Sequence, residues 1–90
     1  MAIIHNNVMY SLKKPLRLTV VNTGTYYYID YPVLGVVGTG RNTFEAKKSF
    51  AYDFDYLYST LNSMNDKNLT KSKKKLKSEL DKIVFLKKEI

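Results

Sequence analysis

The spacing of apolar side chains changes at Gly40 from a period of two to one near 3.6. Before it, Leu16, Leu18 and Val20 alternate with Arg17, Thr19 and Val21, the pattern of a strand with one face on a core. Asn22-Thr23-Gly24 predicts a turn, because glycine takes positive φ without steric cost. Thr25 to Asp30 is almost wholly aromatic and β-branched, which predicts a second strand with Tyr26 and Tyr28 on the face opposite Tyr27 and Ile29. Pro32 lacks the amide a ladder needs and ends that strand. A third strand covers about Gly35 to Thr39. Connections this short leave no room for crossover helices and predict an antiparallel meander.

Beyond Gly40, Asn42 and Glu45 have the spacing of a helix cap. The Asn42 side chain is expected to accept from first-turn amides while Glu45 reaches back to the Asn42 amide. In the helix that follows, Ala46, Phe50, Phe54, Leu57, Tyr58, Leu61 and Met64 share an arc about 120° wide, suited to lying on a sheet. Lys47 sits inside that arc, near its open end, and can snorkel outward along its stem. Asn62 to Asn68 is polar and reads as a connection. From about Thr70 a second helix is predicted, with Leu69, Leu76, Leu80, Ile83 and Val84 on one face and lysines over most of the rest. Phe85 and Leu86 fall off that face. Either the helix stops near Val84 and the last residues are extended, or these two side chains pack against another chain. Ile3 to Tyr10 reads as weakly extended and without turn chemistry.

The fold class expected is therefore α+β: a three-stranded antiparallel sheet packed by a long helix over residues 15–65, then a C-terminal lysine-rich helix over residues 69–90. Ninety residues suit a single domain, 1–90. The absence of cysteine excludes disulfides and thiolate metal sites. No apolar run approaches the roughly 20 residues that span a bilayer, so no membrane contact is expected. The first residues show neither a basic leader nor a small-residue cleavage site, and a cytoplasmic location is expected.

The net charge of +7 is uneven: residues 66–90 hold nine basic and four acidic side chains, against six and four in residues 1–65. All nine are lysine, a mobile point charge without the planar fork that reads phosphate or guanine bidentately. Lys71, Lys74, Lys75 and Lys82 are the candidate polyanion contacts, and nonspecific attraction to nucleic acid is the most they suggest. The plainer reading is a solvated helix face.

Catalytic constellations do not assemble. Gly35, Gly38 and Gly40 stand where a phosphate loop would, yet position 43 is Thr and no G-K-[ST] triplet follows, so tight turning is the expected role of these glycines. Asp30, Glu45, Asp53 and Asp55 are the acids before the connection; Glu45 belongs to the cap. Asp53 and Asp55, two apart on a helix, project about 200° from each other and cannot share an ion. His5 is the sole histidine. No enzyme activity, metal or cofactor is expected.

Eight tyrosines against four phenylalanines favour surfaces that are half wet, as at interfaces. Tyr52 and Tyr56 lie one turn apart and off the core arc. Either they form an exposed patch, or the second helix or the N-terminal segment covers them; stacking on single-stranded bases is a third use. One helix covers one sheet face, so Tyr26 and Tyr28, with Tyr52, Tyr56, Phe85 and Leu86, are the candidate interface of a two-fold homodimer.

Tyr26-Tyr27-Tyr28-Ile29-Asp30, the Pro32-x-Leu34-Gly35 corner, the valine-rich strand ending at Gly40 and the helix start Asn42-x-x-Glu45-Ala46 resemble the HicB-like domain of prokaryotic antitoxins over about half of the chain. Members usually carry Thr where Asn42 stands. The resemblance implies a β-β-β-α core of partial ribonuclease H-like topology without catalytic carboxylates, serving as a binding module. It also implies a small toxin-like protein as partner, and a stand-alone form, because the lysine-rich segment is too short for the usual DNA-binding domain.

Overall fold

In the computed structural model, which describes residues 2–90, the strands and helices run β1 (Ala2–His5), β2 (Val8–Leu12), β3 (Thr19–Asn22), β4 (Tyr27–Tyr31), β5 (Val36–Gly40), α1 (Thr43–Ser63), α2 (Lys71–Ile83) and β6 (Val84–Glu89). A 3-10 turn, Asp66–Asn68, separates the helices. The fold is α+β, with two antiparallel three-stranded sheets where one was expected: β1-β2-β6 and β3-β4-β5.

The additional sheet comes from both ends of the chain. His5 pairs with Val8, so Asn6-Asn7 is a two-residue hairpin turn, with Asn6 at φ 52 in the left-handed region that asparagine tolerates. The N-terminal stretch thus does contain turn chemistry. At the other end α2 stops at Ile83, where its apolar face runs out, and the chain extends into β6. Val8 pairs with Glu89 and Leu12 with Val84, so β2 is the central strand. The lysine-rich region is accordingly a helix to Ile83 and a strand after it, and the expected helix over residues 69–90 is shortened. A register shift between Ser11 and Leu12 leaves Phe85 unpaired opposite β2.

The second sheet follows the expected order, with strand starts one to three residues later than the alternation suggested. Gly24 takes φ 91 in the first turn, and its N–H donates to Asn22 Oδ1 at 2.8 Å. Of the three later glycines, only Gly35, at φ 67, serves a turn. Gly38 and Gly40 have a different role, because α1 crosses directly over their backbone. A Cβ on Gly38 would lie 2.6 Å from Phe50 Cα, and one on Gly40 would lie 2.6 Å from the Ala46 nitrogen. These are contacts real side chains do not make, so the close approach of α1 requires glycine at both positions.

The cap is as expected on one side: Asn42 Oδ1 accepts from the Glu45 N–H at 2.9 Å. Glu45 reaches back one residue further than expected, accepting from the Arg41 N–H at 3.0 Å. Ala46, Phe50, Phe54 and Leu61 are buried, with Leu57, Tyr58 and Met64 packed at the margin of the core. Ile29, Val36, Tyr10, Leu80 and Ile83 are among the other residues of the core, and α1 touches both sheets and α2. Val20, expected on the core, is 57% exposed although it pairs with buried Ile29. The reason is the position of α1, which follows β5 and β4 and leaves the inner face of β3 uncovered.

Gly38→Ala is expected to destabilise the fold by about 3 kcal/mol, because its clash is with backbone that no rotamer change relieves. Asn42→Ala is expected to lose about 1 kcal/mol through the cap. Urea unfolding of both variants checks the order; a smaller loss for Gly38→Ala would place α1 further from β5.

Candidate interaction surfaces

Asp53 and Asp55 of α1 each hold a strand, one in each sheet. Asp53 Oδ2 accepts from the Val37 N–H at 3.0 Å, and Ser49 Oγ accepts from the Thr39 N–H at 3.1 Å. These amides point away from β4, so α1 satisfies the outer edge of β5 with side chains. Asp55, on another face of the helix, accepts from the Tyr10 hydroxyl of β2. Tyr10 is fully buried, edge-on to Phe54 at 5.3 Å and to Tyr58 at 4.8 Å between ring centroids. Burial, reinforced by the bond to Asp55, pushes its phenol well above the ordinary value of 10. Lys87 of β6 stands 5.7 Å from both the Tyr10 and Tyr58 rings. Among the described residues no group of three His, Cys, Asp or Glu side chains could hold a metal ion.

The six tyrosine, phenylalanine and leucine positions expected at one interface occupy three separate elements. Tyr52 and Tyr56 stay exposed on α1, at 59% and 63%. With Asp55, Ser59, Thr60 and Ser63 they line a shallow depression of about 410 Å³. Neither α2 nor the N-terminal hairpin covers them, apart from His5, whose ring meets Tyr52 edge-on at 5.1 Å. Tyr28 lies on the outer face of the β3-β4-β5 sheet between Val21 and Thr39, with exposed Tyr26 beside its turn. That face also carries Thr19, Asp30 and Val37, so it is mixed and not the bare aromatic surface expected. Phe85 and Leu86 are exposed on β6, where the strand has taken them out of the helix altogether.

The candidate polyanion residues do share one element. Lys71, Lys74 and Lys75 project from α2 into solvent, opposite its buried Leu80 and Ile83. Lys82 is engaged with Glu79 at 3.4 Å, and Lys77 pairs with Asp66 at 3.1 Å. The stripe is exposed and salt-accessible, with no aromatic side chain on α2 to stack a base.

One surface escaped the sequence reading. An apolar groove of about 420 Å³ runs between β1 and the uncovered inner side of the β3-β4-β5 sheet, floored by Phe50 and Ala51 of α1. Ile4, Leu18 and Phe44 form its walls, and Lys47 and Lys48 its rim. Its only signal in the sequence is the surplus of apolar residues outside the helical arc, such as Ile4 and Phe44, which periodicity cannot assign to a place. No family model, no curated protein and no solved structure matches the chain.

Tyr10→Phe is expected to lower stability by about 2 kcal/mol, the order of a hydrogen bond to a charged acceptor. Because the folded state raises the Tyr10 pKa, this contribution is fully present below about pH 10, the unfolded value, and disappears as pH rises above it. Tyrosinate absorbance should show a late step above the ordinary phenol range, absent from Tyr10→Phe; a single step shared by both proteins would contradict the buried pair.

Proposed function

We propose that this chain is a non-catalytic, cytoplasmic protein-interaction module of the HicB-like kind, which self-associates and binds a protein partner. The observation that carries this reading is the amount of large apolar surface left uncovered on a 90-residue fold: Tyr52, Tyr56, Phe44, Phe85 and Ile4 are each more than half exposed. The antiparallel β3-β4-β5 sheet followed by α1 supports the resemblance, and we read it as the partial ribonuclease H-like core; β1, β2 and β6 are then an addition to that core. Asp53 and Asp55 support a non-catalytic role, since one is bound to a strand amide and the other to a phenol instead of converging on one point. No described helix is long and apolar enough to cross a membrane.

For self-association, Tyr52 and Tyr56 are the stronger of the expected positions. They are rigid, adjacent and ringed by hydroxyls, which lets the same patch meet itself across a two-fold axis. A small toxin-like protein is the partner class that the resemblance implies. The exposed lysines of α2 favour a second reading, weak nucleic-acid binding, in which affinity falls steeply with salt because lysines release counterions without reading bases.

Light scattering from micromolar to submillimolar concentration should report a dimer, and Tyr56→Lys should return the monomer without altering the melting transition. A monomer throughout, combined with tight binding of one RNA or DNA sequence that survives high salt, would replace this reading by the second.

A further inference from the structure

The two sheets present four edges, and they are not treated alike. The edge of β5 is closed by Asp53 and Ser49. The edge of β6 carries Lys87, Lys88 and Glu89, charges of the kind that discourage strand addition. The edges of β1 and β3 have neither device: β1 reads Ala2-Ile3-Ile4-His5 and β3 reads Thr19-Val20-Val21-Asn22, without lysine or proline. Of these two, β1 borders the apolar groove, so its free edge and a hydrophobic floor stand side by side.

We propose that this groove takes an extended acidic and apolar segment of a partner protein, added as a strand along β1. The inference rests on the interaction-module reading above and names the chemistry of its partner. A strand places alternate side chains on opposite faces, so one set would enter the groove over Phe50 and Ala51 while the backbone pairs with β1. Lys47 and Lys48 line the groove with no carboxylate in its lining, and neither forms an ion pair among the described residues. Lys48 is drawn over the Phe44 ring at 5.4 Å, a weak substitute for a counter-charge. Acidic residues on the segment complete both lysines. A second copy of this chain fits less well, because its own unguarded edge strands, β1 and β3, carry no carboxylate to meet Lys47 and Lys48. Nucleic acid fits less well too, since the floor is apolar.

The test is selection of a displayed library of random dodecapeptides on the immobilised full chain, followed by titration of the enriched peptide in solution. The expected consensus alternates apolar residues with Asp or Glu. Its affinity should fall at least tenfold for Ile4→Glu, which sets a carboxylate on the wall, and for Lys47→Glu combined with Lys48→Glu. Repeating the selection on that double variant should enrich basic peptides instead. All three positions are exposed, so an unchanged circular dichroism spectrum is expected, and the double variant decides the matter if Ile4→Glu does not fold. Amide shifts on peptide binding should concentrate in Ala2 to His5. No enrichment, a basic or uncharged consensus, or unchanged affinity in the double variant would overturn the proposal. So would shifts in β1 on concentrating the chain alone, which would make the groove an interface between copies. A dimer by light scattering without peptide enrichment would remove this inference and leave self-association standing.

Discussion

The contact on which the rest of the fold depends is the laying of α1 directly on the backbone of β5. Gly38 and Gly40 remove the side chains that would hold the two apart, and Ala46 meets them with a small one of its own. At that distance Ser49 and Asp53 reach the Thr39 and Val37 amides, so the helix closes the sheet edge as well as covering its face. The same closeness draws α1 away from β3. Its opposite side is then free to receive Tyr10 and, through it, the whole β1-β2-β6 sheet. One helix thus joins two sheets that share no strand.

Much of the central unit was legible because its signals are local. Asn22 to Gly24, Pro32 and Asn42 each act within a few residues of themselves, and the turn, the strand end and the cap fall where they act. The helical arc from Ala46 to Met64 was legible for the same reason, since packing against any sheet selects the same period. What could not be read depends on partners distant in sequence. The chain leaves the α2 pattern after Ile83 because β2, more than 70 residues earlier, offers β6 a strand to join, with Phe85 left at the bulge. Gly38 and Gly40 look like turn glycines in isolation, and only the crossing helix shows them to be spacers. Asn6 was a missed local signal, obscured by the lack of clear alternation around it. Of the candidate interface, Tyr26, Tyr52, Tyr56, Phe85 and Leu86 are exposed and Tyr28 is half-buried, and their scatter over the fold depends on positions that alternation and helical period do not supply.

The surface mixes charge with apolar exposure. Lysines project from α2, and on β6 Lys87 and Lys88 stand beside exposed Phe85 and Leu86; further exposed apolar side chains lie on α1, at Ile4 of β1 and at Val20 and Val37 of the β3-β4-β5 sheet. This mixture lets one small domain remain well charged while keeping hydrophobic ground available. Tyrosine suits that compromise, because a ring can be left uncovered when its hydroxyl is hydrated.

The central place of β2 has a further consequence, for the order in which the molecule is made. Its neighbours are β1, which leaves the ribosome with it, and β6, which follows more than 70 residues later. The β3-β4-β5 sheet and α1 are contiguous in sequence and need no strand after Ser63, so they can assemble without waiting for β6. The first hairpin must meanwhile wait with one flank of β2 unpaired, and closing so long a loop is slow compared with forming the local contacts of the core. The two strands that come earliest in this fold are therefore among the last to reach their final neighbours. During that interval Tyr10 can already settle on α1, which would keep the waiting strand folded against its own chain and out of reach of others.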